Sequence, residues 1–401
     1  MRILAFLGKI LLWIIGCFMG LLLIINLFVP VYDFDEPHAF SGSYLHNPYE
    51  GIDSTTWLRC NFHAHSRIAG GVTNGRNNTP QLIDSVYNIL GFSHRGISNY
   101  NKICDFGSQR SDFIPAYEHG YGIFKIHQLC LNAQKARILD YPFWQTLSMK
   151  QHTLNQIGKH CELVIPAHPN FVKGGYRASD FKYLDNYKLM EVLNGYCLSP
   201  EHWDTALSNG HRIYLIGDDD SHNVFNINEI AKCFTLVASP ITDSQHILAA
   251  LKAGQTVGIF FPFDNSEKRN PEKKKKRLDT FLPHPIYIHL SNDTLRIAVS
   301  KNIQKAEFIG QDGKILKTEN NIDEALYAIQ ENDCYVRTVL TFEDGTEMWL
   351  NPITRHENPS QLDAPQLHHL NYWKTGLLWT AYLIVIGGIL YFVIRKKSAR
   401  Q

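Results

Sequence analysis

Two uncharged runs near the ends constrain this chain more than anything between them. Residues 10–29, ILLWIIGCFMGLLLIINLFV, contain no Asp, Glu, Lys, Arg or His, and neither do residues 376–394, GLLWTAYLIVIGGILYFVI. Each has about the 20 apolar residues that cross a bilayer's hydrocarbon core. The first follows Arg2 and Lys9 and lacks a small-residue cleavage site, since PVYDFDEP comes next, so it reads as a retained anchor. The second runs straight into Arg395, Lys396 and Lys397. Basic residues flanking the outer end of each span put both termini in the cytoplasm. The expected location is the inner membrane, crossed twice, with the main domain on the periplasmic side.

Between the spans lies ample material for a large core. Of 401 residues 44% are hydrophobic, and 39 Lys and Arg nearly balance 38 Asp and Glu. That balance gives no basis for a nucleic-acid partner. The eight cysteines show no CxxC spacing, which argues against a disulfide framework or a thiolate zinc site. Nineteen histidines are more telling, because several stand beside Gly, Pro or Asp rather than within apolar runs.

The pattern divides the chain into an anchor over 1–32, a mixed α/β unit over 33–263, a charged linker over 264–283, a small β domain over 284–360, and a second span with a basic tail over 361–401. In the α/β unit, TPQLIDSVYNILGF predicts a helix opened by Thr79 and Pro80 and closed at Gly91. CELVIPAHP, YKLMEVLNGY and HRIYLIGDDDSH each read as a buried strand followed by polar residues. Alternating strand and helix patterns predict a parallel sheet, open or closed into a barrel. Beyond the linker DNSEKRNPEKKKKRLD, three segments read as strands with hairpin turns.

NFHAHS places His63 and His65 at alternate positions of an extended segment, on one side of the backbone. Downstream, YEHGYGIFKIH supplies Glu118 and His127, AHP supplies His168, and DDDSH supplies Asp220 and His222. Polar residues at the C-terminal ends of successive strands meet on one face of a parallel β/α architecture. Nitrogen and carboxylate donors there suit zinc, manganese or iron.

The order His-x-His, Ile-Ser-x-x-Asn, Tyr-Glu…His, Ala-His-Pro, Asp-Ser-His resembles the PHP (polymerase and histidinol phosphatase) family over residues 57–262. The resemblance implies a distorted (β/α)7 barrel with a phosphoesterase site of two or three metals. His63, His65, Glu118 and Asp220 would hold one metal. Glu118 would bridge to a second, held also by His127 and His168. His222 would serve a third metal or face the substrate. Members usually carry Ile-Thr-Asp-His where this chain has GISNYN, so Asn99 and Tyr100 stand in for two donors. SRIAGGVTNGRNN, where a third-metal ligand often lies, has no histidine. A site of two divalent ions follows, with Tyr100 either filling space or offering its phenol.

Two metals bridged by a carboxylate acidify water and clamp the oxygens of an in-line displacement. The expected activity is therefore hydrolysis of a phosphoester by metal-bound hydroxide, on a phosphorylated small molecule or envelope component. His222 is the expected proton donor to the leaving oxygen and Arg177 the expected phosphate clamp. Glu191, Asn194 and one of Asp218 and Asp219 are expected to support the ligands. The alternative is a weak or inactive PHP-like barrel serving as an envelope scaffold, which the altered GISNYN motif favours.

Overall fold

The computed structural model describes residues 2–52, 57–68, 75, 77–171, 175–264, 267, 270–360, 362 and 366–398. The two apolar runs form helices, Arg2–Leu27 and Tyr372–Ser398, within which Phe6–Leu27 and Tyr372–Lys396 are long and apolar enough to cross a membrane. They emerge side by side. Phe28 packs edge-on against Trp379 and Tyr382, and the Trp379 indole donates to the Val29 carbonyl at 3.2 Å. Directly after the first helix, strand Tyr32–Phe34 pairs antiparallel with His368–Leu370, directly before the second.

The remainder is a mixed α/β fold built on a curled sheet, and its strands do not all run one way. Trp57–Asn61 pairs in parallel with His94–Arg95, as Leu189–Asn194 does with Tyr214–Asp218. Ala116–His119, His127–Ala133 and Cys161–Ala167 instead form an antiparallel sheet, and Cys233–Ala238 is antiparallel to both Trp57–Asn61 and Thr256–Phe260. The uniformly parallel expectation is corrected accordingly: hydrophobic runs disclose buried strands but not their direction. The helix Pro80–Ile89 forms as its sequence dictates, with Thr79 Oγ accepting from the Leu82 amide and Ile83 and Tyr87 facing the core.

The expected small β domain and the α/β unit share one sheet. Glu347–His356 pairs with Thr256–Phe260 on one side and Tyr335–Thr341 on the other, and the long hairpins Pro285–Ser291, Thr294–Ile309 and Ile315–Ala328 continue it. One apolar core accordingly contains Phe234 and Ile259 together with Ile297, Phe308 and Leu340. The first hairpin turns on Asn292 and Asp293 at φ 48° and 56°, the left-handed pair that matches strand twist.

The charged stretch expected as a solvated linker contains a docked helix, Pro271–Phe281, capped by the Asn270 side chain. Its Lys274 is buried and donates to the carbonyls of Ile227 and Ile230 at 2.9 and 2.5 Å, and burial pushes its ammonium pKa down to about 8. Arg277 lies 3.8 Å over the Phe261 ring and donates to Glu267. One buried aliphatic side chain, Leu278, and a few specific partners suffice to seat a helix whose composition reads as surface. All eight cysteines are free.

A buried ion pair fastens helix Pro200–Ser208 to the later strands. Arg337 donates through Nε and Nη2 to the two oxygens of Asp204 at 2.6 and 2.7 Å, and the Tyr335 hydroxyl donates to the same carboxylate at 3.1 Å. Removing one partner strands the other charge in the interior. Asp204→Ala is expected to lower unfolding stability by about 3–5 kcal/mol, whereas Asp204→Leu with Arg337→Met recovers most of it. Denaturant unfolding of the three proteins in one detergent checks both.

Candidate metal centre

The donors converge because mixed strand directions bring unlike strand ends to one place. Strand Trp57–Asn61 stops before the histidines. Phe62–His65 continues extended, with Ala64 bridging Ser221 in parallel and the His65 amide donating to the Ser221 carbonyl at 2.9 Å. Glu118 sits in strand Ala116–His119, while His127 begins the next strand, antiparallel to it. His168 and Asp220 follow the ends of Cys161–Ala167 and Tyr214–Asp218, both in left-handed backbone at φ 32° and 51°. Such conformations cost about 1–3 kcal/mol in non-glycine residues and concentrate at functional sites. Gly120, at φ +127°, lets the chain turn between Glu118 and His127, and a Cβ there would lie 2.5 Å from the His127 ring.

Glu118 is completely buried, and each of its oxygens faces its own pair of histidines. Oε2 is 3.4 Å from His63 Nε2 and 3.1 Å from His65 Nε2. Oε1 is 2.6 Å from His127 Nδ1 and 2.9 Å from His168 Nε2. Asp220 Oδ1 approaches His63 and His65 at 3.3 and 3.1 Å, and the two Nε2 atoms are 3.2 Å apart. These separations, 3.1–3.4 Å, match the edge of a tetrahedron of ligands about 2.0–2.1 Å from a central zinc, about 3.3 Å. The Glu118 Oε1 contacts are shorter and read as hydrogen bonds.

Two of these atoms are buried without a hydrogen-bond partner, Glu118 Oε2 and Asp220 Oδ1. Buried polar atoms left so need an explanation. A cation between the carboxylate oxygens and imidazole nitrogens supplies one, and the residues present fit it. Donor groups within reach of one ion are His63, His65 and Glu118; His65, Asp220 and His222; and Glu118, His127 and His168.

Supporting contacts orient the ligands. The His63 Nδ1–H donates to Glu191 Oε1 at 2.9 Å, which turns the Nε2 lone pair of the neutral ring inward. Glu191 Oε2 also accepts the His168 amide at 2.7 Å. Asn194 donates weakly to Asp220 at 3.4 Å. Asp218 and Asp219 divide their work differently: Asp218 accepts the Phe62 amide at 2.5 Å, whereas Asp219 accepts from the Tyr87 hydroxyl and the amides of Ala231, Lys232 and Cys233. Burial raises both carboxyl pKa values, with Glu191 adding to the effect at Asp218.

The charges are strongly interdependent. Burial drives the His63 imidazole down, but Asp220, Glu191 and Glu118 outweigh it and hold its pKa well above the ordinary value. His65 is raised for the same reason by Asp220 and Glu118. Burial opposes ionisation of Glu118, yet His127 and His63 keep its pKa well below the usual carboxylate range. His222 shifts down through burial and repulsion from His65.

Above the cluster is a cavity of about 280 Å³ lined by Tyr100, Lys125, His127, His168, Phe171, Tyr196, Asp220 and His222. Tyr100 stacks on His65 at 4.4 Å, with its edge toward His127. Asn99 is committed elsewhere: its Oδ1 accepts the Ser66 amide at 2.8 Å and its Nδ2 donates to Ser66 Oγ. The His222 Nδ1–H donates to the Asp220 carbonyl at 2.7 Å. Arg177 is not among the lining residues. It lies exposed at the start of the turn Ala178–Lys182, where its amide donates to Asp180. Lys125, which the sequence pattern passed over, supplies the cation at the cavity, and its place in the tight turn between Glu118 and His127 was the available signal. Part of the SRIAGGVTNGRNN loop, residues 69–74 and 76, lies outside the described residues. Histidines 94, 119, 202 and 211 are buried as well, outside the cluster; His119 bonds Gln128 and the Leu139 carbonyl. A larger cavity of about 760 Å³ lies at the opposite ends of the strands, beside Cys161, Arg212 and Tyr214, and none of the donor groups borders it.

Glu191→Ala is expected to weaken metal affinity about 10- to 100-fold through lost orientation of His63, read by competition with a chromophoric chelator. Because His63 and His65 titrate above their ordinary value in the metal-free state, a metal must displace protons from them. Affinity should therefore rise with pH through neutrality, with net proton release measurable by calorimetry in buffers of different ionisation enthalpy.

The sequence matches no family model and no curated protein. Among solved structures, a two-domain protein from Bacteroides vulgatus ATCC 8482 containing a predicted PHP-like metal-dependent phosphoesterase is similar at 13% identity, over 84% of this chain and 99% of that one, with a TM-score of 0.41. A likeness that distant carries no argument about the site, which stands on its own geometry.

Proposed function

We propose that the chain is a membrane-tethered, metal-dependent phosphoesterase. The observation that carries this reading is the buried Glu118 carboxylate with a histidine pair at each oxygen. His63, His65, Glu118 and Asp220 would hold one divalent cation, and Glu118, His127 and His168 a second, as zinc, manganese or iron. Such cations, when bound, acidify water and neutralise charge on phosphoryl oxygens.

The chain's own residues do the rest. Glu191 keeps the His63 lone pair directed inward. The rings of Tyr100 and His65 form one wall of the cavity, and Lys125 brings a positive charge to it where a phosphate would enter. The His222 Nδ1–H is committed to a carbonyl and its pKa is lowered, so the neutral ring presents Nε2. That state suits a further ligand to the first ion, beside His65 and Asp220, better than the proton donor to the leaving oxygen. Asn99 bonds Ser66 and Tyr100 stacks on His65, which supports two ions rather than three.

Basic residues beside the outer end of each span support cytoplasmic termini and a periplasmic site. Phosphorylated small molecules and envelope components are the substrates at hand there.

Elemental analysis of the full-length protein, reconstituted in turn with zinc, manganese and iron, should find two ions per chain, reduced to one in His168→Ala. Glu118→Ala should lose both and lower aryl phosphate turnover at least 10³-fold. Lys125→Met should lower kcat/KM about 10- to 100-fold, the loss of one hydrogen bond to a charged group, with metal content unchanged. A chain that stays empty after reconstitution would support the scaffold alternative.

A further inference from the structure

We propose that the loops on either side of strand His127–Ala133, residues 121–125 and 134–146, rest in the bilayer interface beside the N-terminal span, and that the phosphoester this site takes is carried on a lipid. The first half of this inference rests on the membrane-tethered part of the reading above, the second on its phosphoesterase part.

These loops expose apolar side chains. Ile123 is 65% exposed, Ile138 68%, Leu139 53% and Trp144 48%. Among the described residues outside the two apolar helices, Ile315, Phe225 and Ile241 are as open but are scattered along the chain, whereas these four lie in two strips joined by hydrogen bonds. The Ile123 amide donates to the Pro142 carbonyl at 3.0 Å, the Tyr121 hydroxyl to the Asp140 carbonyl at 3.1 Å, and the Tyr121 and Gly122 amides to the Asp140 carboxylate. Contiguous exposed apolar groups mark a surface that something covers.

The level of the patch identifies the cover. Asn26, in the last turn of helix Arg2–Leu27, donates through Nδ2 to the Trp144 carbonyl at 3.0 Å and accepts the Phe143 amide at 3.2 Å. Ile25 and Val29 pack with Tyr141 and Met149. The strip is thus bonded to and packed against the outer end of the first span. Tyr372 and Trp373 stand 80% and 75% exposed where the second helix begins, beside the same end. Trp and Tyr gather where a bilayer meets water, and Trp144 joins this group. Lys135 and Arg137 stand next to Ile138, a basic and apolar combination that suits an interface with anionic lipid.

The same turn reaches the site. Lys125, whose amide donates to the Gly122 carbonyl, lines the cavity over the histidines, two residues after exposed Ile123. Phe171 and Tyr196, 43% and 46% exposed, line it as well. A cavity of about 280 Å³ takes a phosphorylated headgroup but not acyl chains, which would stay outside, against the bilayer. Hydrolysis would break the P–O bond to the lipid alcohol; water supplies the oxygen that replaces it, and one proton of that water ends on the alcohol.

The test uses the full-length, metal-reconstituted chain in phosphatidylcholine nanodiscs. These contain phosphatidate and a lipid carrying a photoactivatable diazirine near its headgroup. Adducts are mapped by mass spectrometry, and phosphate release from phosphatidate is compared with release from soluble para-nitrophenyl phosphate. The inference expects adducts within residues 121–125 and 134–146 as well as on the two helices. It also expects Ile138→Glu with Leu139→Glu to remove the loop adducts and to lower the ratio of lipid to soluble turnover at least tenfold. Adducts confined to the helices would overturn the docking. Hydrolysis of the aryl phosphate with phosphatidate spared would overturn the lipid substrate and leave the phosphoesterase reading standing. Release from neither would overturn that reading and the lipid substrate with it, while the adduct map still decides the docking.

Discussion

One buried carboxylate organises the centre of this protein. Glu118 has no exposed surface, and an ionised carboxylate in such a place is sustainable only with opposite charge at each oxygen. His63, His65 and His168 provide that charge in part, by holding protons they would otherwise lose, whereas burial lowers the pKa of His127. Without a cation the arrangement is a compromise between burial, which favours neutral groups, and mutual attraction, which favours charged ones. Atoms left without a partner on both carboxylates, Glu118 Oε2 and Asp220 Oδ1, mark where the compromise is incomplete.

The surrounding architecture holds that carboxylate in place from several directions. Glu118 and His127 come from adjacent antiparallel strands joined by a turn that needs Gly120. His63 and His65 are held by pairing with Ser221 and by the Asn78 side chain on the His65 carbonyl. Glu191 links His63 to the backbone of His168, so three separate chain segments move as one. A cluster assembled this way is prearranged rather than gathered by its ligand.

The sequence disclosed the donors and not the frame. His63, His65, Glu118, His127, His168, Asp220 and His222 could be singled out because polar residues ending apolar runs are a local pattern, and the structure brings all seven within reach of three candidate positions. Strand direction was not legible, since a buried run reads the same either way. Nor was the sheet shared between Thr256–Phe260 and Glu347–His356, because pairing across so many residues leaves no periodic trace. Helix Pro271–Phe281 was hidden by composition: its buried contacts are made by Lys274 and Leu278, and a lysine that donates to carbonyls looks like any other lysine. Arg177 drew attention as a cation in a Gly-rich loop, whereas Lys125 reaches the cavity through a turn whose left-handed φ of 52° no residue type there announces.

The ribbon between Tyr32–Phe34 and His368–Leu370 has a consequence for how the molecule is made. Tyr44–His46 likewise pairs with the end of Glu347–His356. The earliest strands after the first helix therefore wait for nearly the last residues to be synthesised. Contacts of such sequence separation are slow to form and leave strand edges open meanwhile. During synthesis the first helix is made long before its partner strands exist, and the half-finished sheet must be kept from pairing with neighbours until Glu347–His356 and His368–Leu370 arrive. Completion of the sheet and emergence of helix Tyr372–Ser398 are thus events of the same late moment.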